Sequence, residues 1–413
     1  MLTLLHTSDW HLGHTLHDHS RAEEHAAFLD WLIGVAEAEE ADALVVAGDL
    51  FDGSNPPAQA QEQLFRFLVT LRQRLPRIDV VLVGGNHDSA QRLDAPASVL
   101  RALGLHMVGG LPRRADRSLD LDRLIVPLTN AQGDVAAWVA AVPFLRPADL
   151  PVAHDAEDPL VAGVTAVYAA ALDAARARRQ PGQALVATGH CYMRGGELSD
   201  LSERKILGGN QHALPVTVFP DDVAYVALGH LHLAQSVGGR EHVRYCGAPI
   251  PLSMPERNYP HQVDVVKLDG ERLVEVRPVR VPRATPMIRV PDTGALPIDA
   301  LEAALALLPP RDPDVPEWRR PFLEACVRLD APEPGLQRRV ELALEGRAPR
   351  LVKLTRERTG TGATLGDAPV AALSDFTPDQ VFAARWKQEF AAEPDPVYLA
   401  CFAELLAAAQ EVA

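Results

Sequence analysis

ALVVAGDLFD, residues 43–52, joins a short apolar run to a turn that carries two carboxylates. An apolar run without alternation is typical of a strand that is buried on both faces, as in a parallel sheet. Gly48 and Asp49 follow directly, where such a strand would end. Ligands of open α/β sheets gather at the carboxyl ends of the strands. The stretch therefore predicts an α/β fold with functional side chains at one edge of its sheet.

The same arrangement recurs at other places along the chain. An apolar, β-rich run precedes each of four further polar clusters: Asp9-Trp10-His11, Gly85-Asn86-His87-Asp88, Gly189-His190 and Gly229-His230-Leu231-His232. Any one cluster alone could be a surface pair, a cap or a turn. Together they bring carboxylate, amide and imidazole groups to strand ends, and these groups suit a pair of divalent cations that acts on a phosphoryl group.

The residue types indicate how two cations would be shared. Asp49 is expected to bridge them, because it stands alone in the turn after its strand. The other expected ligands are Asp9, His11 and His232 for one cation and Asn86, His190 and His230 for the second. A mixed oxygen and nitrogen set with an amide and without thiolates favours Mn²⁺.

The motif order D-x-H, G-D-x-x-D, G-N-H-D, G-H, G-H-x-H resembles that of the calcineurin-like metallophosphoesterases. Longer stretches, HTSDWHLG (6–13), GGNHDS (84–89) and VRYCGAPIPLS (243–253), are similar to a branch of bacterial nuclease subunits that work with an SMC-like ATPase. The resemblance implies a two-sheet sandwich flanked by helices and the metal ligands named above. It also implies that His87 is the acid that aids departure of the leaving oxygen and that Asp88 orients the His87 ring.

Two positions depart from the patterns of these relatives. Ala248 stands where the bacterial pattern has Ser, so a contact from that hydroxyl is absent. Asp52 stands where archaeal and eukaryotic relatives often have His. Asp52 is expected either to take part in the active site or to cap a turn.

The charge of the chain bears on DNA binding. A net charge of −15 opposes unaided binding to DNA, because Lys and Arg supply most non-specific affinity. Either a local basic patch or a partner is therefore expected to contact DNA. Candidate contacts are Arg21, Arg92, Arg194, Arg204, Lys205 and Arg257, each of which could equally be a solvated surface residue. His14, His17, His19 and His25 are interpreted as ordinary loop and helix-surface residues.

Composition and periodicity predict the domains. Residues 1–283 are expected to form the nuclease domain, with helices over 21–40, 58–75 and 160–179 and with strands over 243–245, 263–268 and 273–281 closing the second sheet. Residues 284–356 are expected to form a small α+β capping domain, and residues 357–376 a linker. Residues 377–413 are expected to form C-terminal helices with an apolar stripe that contains Phe382, Trp386, Phe390 and Phe402. Such short helices either pack back on their own domain or dock a partner, and the resemblance favours docking.

These observations predict a Mn²⁺-dependent DNA nuclease, a double-strand exonuclease and a single-strand or hairpin endonuclease. Its partners would be DNA ends and an SMC-like ATPase, and it would act as a homodimer within a heterotetramer. The chain has no G-x-x-x-x-G-K-[ST] motif, so any ATP dependence would come from the partner. A cytoplasmic location is expected, without a membrane, because the four Cys are scattered and no apolar run reaches the ~20 residues of a span. The alternatives are a phosphodiesterase for small substrates and a DNA-end tether whose metals are structural.

Overall fold

The computed structural model describes residues 1–151, 156, 158–197, 213–330, 333 and 335–358, and, nearer the C-terminus, 382, 385–387, 394, 398–399 and 401–402. The helices are α1 Ala22–Ala38, α2 Ala58–Arg74, α3 Ala90–Asp94, α4 Ala97–Ala102, α5 Pro159–Arg178, α6 Ile298–Ala306 and α7 Leu336–Ala343. The strands are β1 Leu2–Thr7, β2 Thr15–Leu16, β3 His19–Ser20, β4 Ala43–Ala47, β5 Asp79–Val83, β6 Leu105–Val108, β7 Ile125–Thr129, β8 Val135–Ala141, β9 Ala184–His190, β10 Tyr225–Gly229, β11 Gln235–Val237, β12 Arg240–Tyr245, β13 Gln262–Asp269, β14 Arg272–Arg280, β15 Met287–Val290, β16 Leu296–Pro297, β17 Phe322–Leu329 and β18 Arg350–Arg358.

The first sheet has the order β14-β13-β1-β4-β5-β6. Strands β1, β4, β5 and β6 are parallel, and β13 runs antiparallel to β1. Strand β4 is buried on both faces, as its unbroken apolar sequence predicts. Alternate residues of the sheet face two different layers. Leu4, Val45 and Val81 belong to the core between the two large sheets, and Leu5, Val46 and Leu82 belong to the core under α1 and α2.

The second sheet has the order β11-β12-β10-β9-β8-β7 and packs against the first. Strands 263–268 and 273–281 were predicted to close this sheet, and that prediction is wrong. They are β13 and β14, and they extend the first sheet because β13 pairs with β1 from Leu2 to His6. Only the strand predicted at 243–245 lies in the second sheet, as part of β12, which runs parallel to β10. The predicted α/β sandwich of two sheets flanked by helices is confirmed.

A smaller third sheet follows, with the order β15-β17-β16 and with β18 paired to β17. It carries α6 and α7, which lie against each other. Phe322 of β17 packs in one cluster with Leu16 and Met254, so the third sheet rests on the hairpin β2–β3 that follows the first polar motif. The guanidinium carbon of Arg21 lies 5.4 Å from the centre of the Phe322 ring, and that of Arg350 lies 4.4 Å from it.

The C-terminal residues belong to a second compact unit, Arg328–Glu333 with Glu357–Ala413. Within it the rings of Phe382 and Phe402 stack with their centres 4.4 Å apart, and Trp386 contacts Tyr398 at 4.6 Å. The aromatic side chains of the predicted stripe therefore face one another. Phe390, and nearly all of the predicted linker 357–376, lie outside the described residues.

In the described part of the chain, α5 is the one helix long and apolar enough to cross a membrane by length and composition. It buries Val167, Tyr168 and Leu172 in the core that contains the second sheet. A helix that packs in a protein core passes the same test, so α5 is weak evidence for a span.

Candidate metal centre

The predicted ligands meet at the carboxyl edge of both large sheets. Asp9, Asp49 and Asn86 come from the loops after β1, β4 and β5 of the first sheet. His190 ends β9, and His230 and His232 follow β10 of the second sheet. All are buried except Asn86, which is half-buried. The polar clusters that directly follow apolar strands in the sequence are thus brought together at one place.

One group of ligand atoms comprises Asp9, His11 and His232, whose ligand atoms all lie within 4.8 Å of one another. The Nε2 atom of His11 is buried and has no hydrogen-bond partner among the described residues. An imidazole nitrogen left in this state costs free energy unless a ligand satisfies it. This orphan atom therefore fits a cation between these three side chains.

A second group comprises Asp9, Asp49 and His190, with ligand atoms within the same 4.8 Å limit. The Oδ1 atom of Asn86 lies 2.9 Å from His190 Nε2 and 3.1 Å from His230 Nδ1. An amide oxygen, a carboxylate and imidazoles thus converge on this side.

Asp49 lies between the two groups. Its Oδ2 atom is 3.5 Å from His11 Nε2 and 3.2 Å from His190 Nε2. Its Oδ1 atom accepts a hydrogen bond of 2.9 Å from the backbone N–H of His87. This position is the one that a carboxylate shared by two cations would need.

In three of the predicted histidine ligands, the ring nitrogen Nδ1 contacts a partner outside the centre. His190 Nδ1 lies 2.9 Å from the carbonyl oxygen of Ala47, His232 Nδ1 lies 3.1 Å from Glu256, and His11 Nδ1 lies 3.2 Å from Asp52. Such contacts fix the tautomer and the ring orientation of a metal-ligating His. In each case they leave Nε2 for the centre.

Glu256 was missed from the sequence. It is fully buried and also accepts a hydrogen bond of 2.8 Å from the backbone N–H of Leu252. It follows His232 by 24 residues and stands in no motif. Ser8 was also missed, although it directly precedes Asp9 in the first motif, and its hydroxyl donates to the Asp9 carboxylate.

The backbone around the centre adopts conformations that side chains other than glycine rarely take. The φ angles of Asp9, His11, Asp49 and His230 are 53°, 48°, 50° and 106°. Such conformations cost on the order of 1–3 kcal/mol each and cluster at functional sites. Position 85 requires glycine, because a Cβ there would lie 2.1 Å from Asp49 Oδ1.

The electrostatics of the centre favour a bound cation. Burial opposes ionisation of Asp49, but the interactions with His190, His11 and His87 together outweigh it and hold the pKa of Asp49 below its usual range. Burial lowers the pKa of His190, but attraction and hydrogen bonding from Asp49, with attraction from Asp9, together outweigh burial and raise the pKa to about 9. Burial, with repulsion from His190, lowers the pKa of His230 to about 3. Asp49 and His190 thus stabilise each other's charged forms, and a cation bound beside Asp49 would take the place of the proton on His190.

His87 lies at the edge of the centre, with its ring centre 4.7 Å from that of His11. Its Nδ1 atom is 2.8 Å from the backbone carbonyl oxygen of Asp52. The expectation that the Asp88 carboxylate orients this ring was wrong. Asp88 instead accepts hydrogen bonds of 2.9–3.0 Å from the backbone N–H groups of Gly85, Leu50 and Phe51.

Asp88 therefore acts on the backbone. It ties the loop that carries Asn86 and His87 to the loop that carries Asp49. Burial, with repulsion from Asp49, raises the pKa of the Asp88 carboxyl to about 6.

The side chain of Asp52 contacts His11, one of the predicted metal ligands. Its Oδ1 atom lies 3.2 Å from His11 Nδ1 and 3.0 Å from His14 Nδ1. Of the two interpretations that the sequence left open, this geometry favours the active-site role. The interpretation of His25 as an ordinary helix-surface residue was wrong, because His25 is fully buried. His14 lies in a loop and is half-buried, and it contacts Asp52.

The six expected DNA contacts differ in where the structure places them. Arg92 donates to Asn55 at 2.8 Å and Arg194 is exposed, so both remain candidates. Arg21 is fully buried, donates to Glu24 and to the carbonyl oxygen of Pro251, and so cannot reach DNA. Arg257 donates to Asp292. Arg204 and Lys205 lie outside the described residues.

Fold and site together define a phosphoesterase with a place for two metal ions. In agreement, residues 2–234 match the calcineurin-like phosphoesterase family, and the chain belongs to it. Residues 283–390 match a family described as the type 5 capsule protein repressor C-terminal domain.

Individual relatives show to which branch of this family the chain belongs. The chain is 44% identical to the SbcD component of nuclease SbcCD from Rhodobacter capsulatus, over 93% of this chain and 94% of the relative. It is 32% identical to the same component from Escherichia coli K12, over 93% and 92%. It is 33% identical to the same component from Bacillus subtilis, over 64% and 66%. The chain is thus a metallophosphoesterase of the SbcD nuclease family, and the predicted family and enzyme class are confirmed.

Proposed function

We propose that this protein is a Mn²⁺-dependent DNA nuclease that cleaves double-stranded ends and single-stranded or hairpin DNA. The observation that carries the proposal is the position of Asp49 between two groups of buried ligands, beside His87. The proposed ligands are Asp9, His11, Asp49 and His232 on one side and Asp49, Asn86, His190 and His230 on the other.

The chemistry follows from the residues. Two divalent cations held there would supply Lewis-acid stabilisation of the charge that develops on a phosphodiester. Asp49 would neutralise both and offset their mutual repulsion. The oxygen ligands, with Asn86 among them, favour Mn²⁺ over a softer metal.

His87 would move the proton. Because Nδ1 donates to the carbonyl of Asp52, Nε2 is the nitrogen that can give a proton to the departing oxygen. Asp88 would keep that ring in place by holding the backbone of its loop. General acid help of this kind contributes roughly 10²–10⁴-fold in rate.

The net charge of the chain and its C-terminal unit support the proposed partners. At a net charge of −15 the chain is poorly suited to hold long DNA alone. An SbcC-like SMC ATPase would supply that surface, with two copies of this chain as a homodimer inside a heterotetramer in the cytoplasm. The C-terminal unit with Phe382, Trp386, Phe390 and Phe402 is the proposed docking element, and its exposed Tyr398 and Leu399 are the first residues to test.

The test compares substrates. Turnover of bis(p-nitrophenyl) phosphate, duplex DNA and hairpin DNA would be measured with Mn²⁺, with and without the ATPase. We expect cleavage of all three and stimulation on DNA by the partner. Cleavage of the small diester alone would favour a small-substrate phosphodiesterase, and DNA binding without any turnover would favour a tether with structural metals.

A further inference from the structure

One positively charged side chain near the metal centre, that of Arg146, belongs to none of the motifs and has no role in the mechanism proposed above. Arg146 lies in the loop after β8, and its guanidinium donates a hydrogen bond of 3.0 Å to the backbone carbonyl of Asp88. The loop is fixed next to the centre, because the backbone N–H of Phe144 donates to the carbonyl of Gly84 at 2.8 Å. The Phe144 ring lies 6.2 Å from that of His190, and the Arg146 guanidinium lies 5.7 Å over Phe144.

The charge of Arg146 is unbalanced. Among the described residues its guanidinium contacts a neutral carbonyl and an aromatic ring, and no carboxylate lies within ion-pair distance. Asp149 is near, but its carboxylate accepts from the backbone N–H of Arg146 at 3.1 Å. In a chain with 55 acidic and 40 basic residues, most arginines have an acidic partner at hand, as Arg21 and Arg176 do.

We propose that Arg146 binds a phosphate of the substrate strand that flanks the scissile phosphodiester. Arg146 is half-buried, which weakens competition from water, and its guanidinium is held in one orientation by the Asp88 carbonyl. A planar guanidinium with free N–H groups matches phosphate oxygens. The group stands next to the loop of Asn86 and His87, on the His190 side of the centre. The proposal rests on the nuclease function proposed above. It adds a residue that binds the DNA backbone next to the cleaved phosphodiester.

A flanking contact has a distinctive consequence. It serves a nucleic acid strand but has nothing to hold on a substrate with a single phosphate. Arg146 should therefore raise kcat/KM for DNA and leave that for bis(p-nitrophenyl) phosphate unchanged. A residue that merely supports the Asp88 loop would affect both substrates alike.

The test uses the full chain loaded with Mn²⁺ and compares Arg146→Gln and Arg146→Lys with Arg72→Gln. Arg72 is a matched control, because it is also half-buried and donates to backbone carbonyls, those of Gly104 and Pro76, at the opposite end of the first sheet. Arg146→Gln should lower kcat/KM on a duplex oligonucleotide by about 10- to 100-fold, the range of a hydrogen bond to a charged group. Arg146→Lys should recover part of this loss, and Arg72→Gln should cause none.

The dependence of KM on salt concentration provides a second test. The slope of log KM against log salt for the oligonucleotide should fall by about 0.9 in Arg146→Gln, as for one lost phosphate contact. Equal losses on the oligonucleotide and the small diester, or no loss on either, would overturn the role of Arg146. A wild-type chain that cleaves the small diester but no oligonucleotide would overturn the nuclease proposal itself.

Discussion

The Nδ1 atom of His14 lies 3.0 Å from Oδ1 of Asp52, the same oxygen that lies 3.2 Å from His11 Nδ1. The other nitrogen of His14 is fixed by the carbonyl oxygen of Leu252 at 2.9 Å. A chain of contacts thus runs from the backbone before Glu256 to a predicted metal ligand. Asp52 is the link in this chain that carries a negative charge.

Asp52→Ala should therefore loosen His11 and weaken metal binding. Removal of such an outer partner typically costs 10–100-fold in metal affinity or activity, and we expect about that loss here. Mn²⁺ affinity and turnover of bis(p-nitrophenyl) phosphate would be measured together, with the exposed Asp221→Ala as the control. If turnover fell while both Mn²⁺ affinities stayed unchanged, Asp52 would act on substrate and not through His11.

His87→Ala should abolish cleavage while both cations stay bound. Its Nδ1 atom faces the carbonyl oxygen of Asp52, and we expect the ring to donate a proton and not to ligate a cation, although its atoms lie near those of His11 and Asp52. The expected loss in kcat is roughly 10²–10⁴-fold. Metal content by elemental analysis and DNA turnover would be followed in the same preparations. Parallel loss of metal and activity would make His87 a ligand.

Deletion of residues from 370 onward should spare phosphodiesterase activity and abolish association with the ATPase. The deleted residues belong to a compact unit separate from the one that holds the centre. A double variant, Tyr398→Ser with Leu399→Ser, tests the exposed apolar residues of that unit without deletion. Co-purification with the ATPase and turnover of the small diester are the two measurements. Full association of the truncated chain would move the docking site to the remaining domains.

His6 should make the fold sensitive to acid. It is fully buried, with Nδ1 2.9 Å from the Tyr225 hydroxyl and Nε2 3.2 Å from the Leu228 carbonyl, and so joins β1 to β10. Burial lowers its pKa from 6.5 to about 3. The unfolded state then binds the proton more readily between these values, so this group's contribution to stability is intact above pH 6.5 and is lost as the pH falls toward 3.

The measurement is denaturant unfolding of the metal-free protein at pH 7 and pH 5. The His6 contribution should fall by about 2 kcal/mol between them, from ~1.4 kcal/mol per pH unit. His6→Gln should remove this part of the pH dependence, and the exposed His17→Gln should not. Equal pH dependence in wild type and His6→Gln would show that His6 is not the group responsible.

The sequence could predict the ligand groups because each follows its own strand. Asp49 after β4 and His190 at the end of β9 need only the apolar run before them to be placed at the carboxyl edge. The two-sheet sandwich follows from the same runs. The bounds of α1, α2 and α5 were predicted to within two residues, since helical spacing marks all three helices and Pro or Gly flanks α2 and α5.

What the sequence could not predict depends on contacts between distant elements. Glu256 reaches His232, and His14 reaches Asp52, only because separate loops fold over the same edge. The Asp88 carboxylate turned to backbone N–H groups because three of them converge where it is buried. The placement of β13 beside β1 was missed because an antiparallel pair carries no mark of which sheet it joins.

Calorimetric titration of Asp49→Asn with Mn²⁺ is the most direct test of whether two catalytic cations share Asp49. Wild type should bind two Mn²⁺ per chain, as befits a carboxylate oxygen 3.5 Å from His11 Nε2 and 3.2 Å from His190 Nε2. In Asp49→Asn both affinities should fall, whereas Asn86→Ala should weaken one site alone. If Asp49→Asn weakened a single site and left the other at wild-type affinity, Asp49 would belong to one cation and the shared centre would be contradicted.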